Sequence, residues 1–196
     1  MDKPDHKKIG LLGGSFNPAH EGHLEISLKA LEILGLDEIW WLVSPGNPLK
    51  SDDDMAEYNE RFLSAERIAG DHPIIISDIE KKFKTRYTVD TLTKLTDEFD
   101  HDFIWLMGAD NLAQFDKWKD WKDIANTVPF AIFNRPSYSV DALNSIAAKT
   151  LSEYKIPTSN AAELYMKTPP AWVYYEMTEN PMSSTEIRRN NKRLQT

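Results

Sequence analysis

The chain has 196 residues, of which 41% are hydrophobic and 28% charged, enough for one well-filled core, so a single domain over residues 1–196 is expected. Its formal charge of −8 argues against a nucleic-acid surface, which needs cations in excess, whereas a small anionic substrate asks for only a few well-placed ones. No apolar run approaches the ~20 residues that span a bilayer, the polar start Met1 to Lys8 lacks a signal-peptide core, and zero cysteines exclude disulfides and thiol chemistry; a cytoplasmic protein without membrane or nucleic-acid partners is expected.

The first element is the one that matters most. Ile9, Leu11 and Leu12 form a short apolar run ended by Gly13 and Gly14, and a helical pattern begins beyond Pro18, which predicts strand, tight turn and helix in an α/β protein. Glycines let the backbone approach phosphate oxygens, and the first free amides of the next helix point there with partial positive charge. A helix starting near Pro18 puts His20 and His23 on one face at this anion-binding end. Imidazole donates hydrogen bonds to a polyphosphate and, protonated, offsets charge growing on a leaving group. The alternatives are a zinc pair or two surface histidines; zinc needs more ligands, and His6, His72 and His101 stand at no supporting spacing. The turn is neither a Walker A loop nor a spaced Gly-x-Gly-x-x-Gly fingerprint.

Gly-Gly-Ser-Phe-Asn-Pro-Ala-His-Glu-Gly-His, from Gly13 to His23, resembles the signature of the (H/T)xGH nucleotidyltransferase superfamily, in wording closest to its bacterial nicotinate mononucleotide adenylyltransferase family. The resemblance implies a Rossmann-like, doubly wound parallel sheet and adenylyl transfer from ATP to nicotinate mononucleotide, giving deamido-NAD and pyrophosphate. It also implies Mg2+ carried on the ATP phosphates, His20 and His23 as catalytic residues, and ATP contacts from Gly13, Gly14, Ser15 and Phe16.

Further along, Glu21 to Leu36 carries Leu24, Ile26, Leu28, Leu31, Ile33 and Leu34, a helix with one broad apolar face that stops at Gly35. Glu38 to Ser44 is the second strand, apolar on consecutive positions, with Trp40 and Trp41 read as core. Lys50 lies in the loop leaving that strand, at the edge where open α/β sheets bind ligands; alone it would be a solvated charge, and the resemblance makes it a phosphate contact. Asp52, Asp53 and Asp54 form an acidic tip. Tyr58 to Ala69 is predicted as a helix, Ile74 to Ser77 as the third strand, and Lys81 to Arg86 as a mobile connection.

Thr88 caps or enters a helix running to about Phe99; the resemblance implies that Thr88 and the Val89 amide meet the nicotinate carboxylate. Asp102 to Met107 is a central strand running into Gly108 and Asp110, where glycine permits close ligand approach and Asp110 either accepts from ribose hydroxyls or caps the next helix. The resemblance favours ribose. Phe115, Trp118 and Trp121 recur at helical spacing, with Phe115 and Trp121 as core; the resemblance implies that Trp118 stacks on the pyridine, with the Lys119 backbone beside its carboxylate. Val128 to Phe133 is the fifth strand, leading to Arg135, a candidate ATP contact or a surface cation. Val140 to Leu151 is a plausible helix and Trp172 to Met177 the last strand. Ser183 with Glu186 reads as a capping box and Met182 with Ile187 as a staple, starting a helix at Ser184 with Arg188 one turn in. The resemblance makes Ser183, Ser184 and Thr185 ATP contacts and Arg188 a catalytic cation opposite the histidines. Monomer and homo-oligomer stay open.

Overall fold

A computed structural model describes residues 6–46, 55–134 and 142–177 of the chain. The β-rich runs Lys8–Gly14 (β1), Glu38–Val43 (β2), Ile74–Ser77 (β3), Asp102–Gly108 (β4), Phe130–Asn134 (β5) and Trp172–Glu176 (β6) form one sheet in the order β3-β2-β1-β4-β5-β6. Every pairing is parallel, so each strand returns through a crossover and the expected doubly wound α/β architecture is what the chain adopts. Alternating side chains feed two separate cores. Ile9, Leu11, Phe103, Trp105, Met107, Phe130 and Ile132 bury on one face, and Leu12, Ile104, Leu106, Ala131 and Phe133 on the other, which is why these strands are apolar at consecutive positions.

Helices cover both faces. Glu21–Leu34 (α1) and Tyr58–Ala69 (α2) lie over one core, while Thr88–Glu98 (α4), Trp121–Thr127 (α6) and Ile146–Thr150 (α7) lie over the other. Gly35 ends α1 in the left-handed region at φ 61°, donating its N–H to the Leu31 carbonyl, the geometry glycine adopts without strain. The predicted α2 and β3 match the observed bounds.

Several expectations need correction. The helix does not start near Pro18; it starts at Glu21, because His20 takes the extended N-cap conformation and its ring accepts the Gly22 N–H. Lys81 to Arg86 is not a loose connection: Ile79–Phe83 is a short helix (α3), closed by Lys84 at φ 54°, and Thr85 beyond it is buried. Phe115, Trp118 and Trp121 do not share a helix, since Phe115–Lys117 is a 3-10 turn and Asp120, at φ 49°, breaks the chain before α6. The fifth strand begins at Phe130 after Pro129, and of the helix predicted from Val140 to Leu151 the described residues show a helical Ala142 and, after a break at 143–145, the helix Ile146–Thr150, capped by Ser145. Lys50, the Asp52 to Asp54 tip, Arg135, and Ser183, Ser184, Thr185 and Arg188 lie outside the described residues.

Candidate functional site

The strand order reverses between β1, which continues to β2 on one side, and β4, which continues to β5 on the other. Leu12 faces Leu106 across this pair, two residues before Gly14 and Gly108 respectively, so both glycine turns leave the sheet side by side at its carboxyl edge. That crevice is where doubly wound sheets hold ligands.

The two histidines meet there in an arrangement the spacing did not foretell. His20 Nδ1 accepts the Gly22 N–H at 3.1 Å, and His23 Nδ1 accepts the His20 N–H at 3.2 Å, a capping box built from imidazoles. The ring centroids are 3.9 Å apart. Because each Nδ1 accepts, the neutral rings carry hydrogen on Nε2 and present donors. A metal bound at Nε2 would require the hydrogen on Nδ1, where both rings instead receive one, so the pair suits anionic oxygens better than zinc.

Behind the rings, Phe16 adopts φ 46°, a left-handed conformation that costs a residue with a Cβ about 1–2 kcal/mol. Packing holds it: Phe16 is 1% exposed, stacks on Trp41 at 5.0 Å and touches the His23 ring at 4.8 Å between centroids. The Ser15 and Phe16 N–H groups donate no hydrogen bond among the described residues. Gly13 needs its missing side chain, since a Cβ there would lie 2.5 Å from the Trp105 ring.

At the end of β4, Gly108 occupies the N-cap of Ala109–Leu112 (α5), and Asp110 sits inside the first turn with no capping bond, so the capping alternative for Asp110 does not hold. A Cβ at position 108 would collide with the Asp110 carboxylate. Thr88 likewise opens α4 as its first residue, with Tyr87 at the N-cap. Lys119 reaches over to this turn, its Nζ 4.6 Å above the Tyr87 ring and 3.6 Å from Asp90 Oδ1, so it joins the start of α4, where Thr88 and Val89 lie, to the segment that carries Trp118. Trp118 is half-buried, edge-on to Phe115 at 5.5 Å, and its Nε1 is buried without a partner. Phe115 is fully buried and Trp121 packs partly against the same core, as expected.

Two residues at this edge escaped sequence reasoning. Arg61, 2% exposed, donates from Nη1 to the Ser15 carbonyl at 2.6 Å and the Ser44 carbonyl at 2.9 Å, and from Nε to the Ala56 carbonyl at 3.0 Å. The available signal was its register: Arg61, Ala65 and Ala69 share the buried stripe of α2. Glu80 is buried with the Ser44 and Thr91 hydroxyls nearby, and burial pushes its carboxyl up to about 7 although those polar groups favour the carboxylate.

Comparison with known proteins adds the following. The family model described as cytidylyltransferase-like matches residues 11–190. A protein of Parvibaculum lavamentivorans named "probable nicotinate-nucleotide adenylyltransferase" is 51% identical, the match covering 92% of this chain and 90% of the relative. One of the same name from Bradyrhizobium sp. (strain BTAi1) is 47% identical over 92% of this chain and 95% of its own. Among solved structures, the Plasmodium falciparum nicotinic acid mononucleotide adenylyltransferase complexed with NaAD has a TM-score of 0.69 at 20% identity, covering 94% of this chain and 83% of that one, a likeness of fold.

Proposed function

The chain belongs to the cytidylyltransferase-like family, among its nicotinate-nucleotide adenylyltransferases, and on that premise we propose that it joins ATP to nicotinate mononucleotide, releasing pyrophosphate and forming deamido-NAD. An oxygen of the mononucleotide 5′-phosphate attacks the α-phosphorus of ATP, and the bond to the pyrophosphate oxygen breaks. No side chain need form a covalent bond; the protein aligns two anions that repel each other and stabilises charge on the leaving group. The observation that supports this reading is the imidazole capping box at the start of α1, in the segment that follows β1 at the sheet's switch point, whose Nδ1 acceptor bonds leave the hydrogen on Nε2 of both rings.

His20 and His23 donate to the phosphates beside the Gly13, Gly14, Ser15 and Phe16 backbone; Gly108 and Asp110 hold the ribose. Thr88, Val89, Trp118 and Lys119 receive the pyridine and its carboxylate. Lys50 and Arg188 complete the leaving-group side, with Ser183, Ser184, Thr185 and Arg135 as further ATP contacts; these roles rest on the sequence resemblance. Magnesium, brought in on the ATP phosphates, neutralises part of their charge. The donors at β1 are N–H groups, which suit phosphate oxygens and leave the ion to its own phosphates and water. Among the described residues no helix is long and apolar enough to cross a membrane, and we infer that the enzyme works in the cytoplasm.

The test is pyrophosphate release from ATP with nicotinate mononucleotide, nicotinamide mononucleotide and pantetheine phosphate, run side by side. Release only with the nicotinate compound, or far faster with it, is expected. Release with pantetheine phosphate alone would overturn the assignment.

A further inference from the structure

A trans peptide points its carbonyl and its following N–H in opposite directions. The Ser15–Phe16 peptide is trans, since the cis bonds among the described residues are Asn17–Pro18 and Pro169–Pro170. Its carbonyl is fixed by Arg61 Nη1 at 2.6 Å, from the buried side, so the Phe16 N–H faces away from Arg61 and, within the described residues, has no acceptor. The same guanidinium grips the Ser44 carbonyl at the end of β2 and the Ala56 carbonyl ahead of α2, while the Ala56 N–H donates to Asn17 Oδ1 at 3.1 Å. One buried side chain therefore ties three backbone segments around the glycine turn. The Tyr58 ring lies 5.3 Å from Arg61 Cζ and the Glu57 carboxylate acts on the guanidinium from farther off, so these and the three carbonyl dipoles together offset a charge that stands directly behind the turn.

We infer that Arg61 is a positioning residue of the phosphate loop: by holding the Ser15 carbonyl it sets the direction of the Phe16 N–H, making that amide a fixed donor to an ATP phosphate oxygen. The inference rests on reading Gly13 to Phe16 as the ATP loop. Preorganised backbone donors of this kind act because they need no rearrangement when the anion arrives, and a left-handed Phe16 without its anchor has a cheaper conformation to relax into.

The experiment follows backbone amides by NMR in the 15N-labelled full chain while inorganic pyrophosphate is added. In the wild type the Phe16 amide proton moves downfield, together with others in Gly13 to Phe16. Arg61→Gln abolishes most of the Phe16 displacement, and Arg61→Lys, which can still reach one carbonyl, retains part of it. Kinetically, Arg61→Lys raises the KM for ATP about tenfold, as losing a charged hydrogen bond does, and leaves that for nicotinate mononucleotide within about twofold. A Phe16 displacement equal in wild type and both variants overturns the inference. So does a wild-type titration in which the neighbouring amides move and Phe16 does not, a result that needs no variant to fold. If no amide from Gly13 to Phe16 responds in the wild type, the reading of the loop as the ATP site fails instead.

Discussion

At the scale of single residues, catalytic and structural duties overlap. His23 accepts the His20 N–H, so His23→Ala removes a cap worth about 1 kcal/mol together with the proposed donor to phosphate. His23→Asn separates the two, because the Asn Oδ1 stands where the ring Nδ1 did and can still accept from His20. We expect His23→Asn to unfold within a few degrees of the wild type while pyrophosphate release falls by about a hundredfold or more; turnover near the wild-type rate would remove His23 from the mechanism. Gly108 offers a second test. Adding one methyl there pushes the Asp110 carboxylate aside, so Gly108→Ala should reproduce the kinetic defect of Asp110→Asn, chiefly a raised KM for ATP. If Gly108→Ala binds ATP normally while Asp110→Asn does not, the carboxylate has simply rotated out of the way. The histidines were legible in the sequence as a pair, but their capping geometry was not, since histidine is not among the residues that usually cap helices. Arg61 was harder still: two of its three partner carbonyls are 46 and 17 residues away in sequence, and its register with Ala65 and Ala69 on the buried stripe of α2 was the one local sign.

At the scale of elements, the proposed pyridine side is built where the α4 start meets the turn before α6. Lys119 bridges them through Tyr87 and Asp90, and Trp118 projects from the 3-10 turn between β4 and α6. Trp118→Ala should raise the KM for nicotinate mononucleotide by about tenfold, in keeping with an aromatic contact of about 1 kcal/mol beyond burial, and leave that for ATP little changed. An equal loss for both substrates would mean that Trp118 only props up the Phe115 cluster. Elements with a clean apolar pattern, such as α2, β3 and β4, were readable to within a residue or so. The turns that aim site residues were not, because Lys84 and Asp120 take positive φ without being glycine. Their conformations come from tertiary packing.

Over the whole molecule, two buried or paired groups tilt stability with pH in the same direction. Burial raises the Glu80 carboxyl from 4.5 to about 7, so the folded protein holds a proton that the unfolded chain has released, and stability declines as pH climbs between those values, by on the order of 2–3 kcal/mol. His6, whose Nε2 lies 3.0 Å from Asp102 Oδ2 at the opposite edge of β1 and β4, has its pKa raised above 6.5 by that hydrogen bond. Its contribution is present below 6.5 and is lost as pH rises through the folded value. The unfolding midpoint should therefore fall from pH 5 to pH 8, and Glu80→Gln, which can still pair with Ser44 and Thr91, should flatten most of that slope. A midpoint that climbs over this range would contradict the burial of Glu80.

The reversal of strand order has one more consequence. The proposed phosphate turn belongs to the β1-β2-β3 half of the sheet, and the proposed ribose and pyridine contacts belong to segments after it, joined to that half through the pairing of β1 with β4 and through the two cores that both portions share. Neither portion alone has anything complete to offer a dinucleotide. On the proposed contacts, a polypeptide still leaving the ribosome with β4 unsynthesised lacks the ribose and pyridine partners, and product grip becomes a late readout that the two portions have docked.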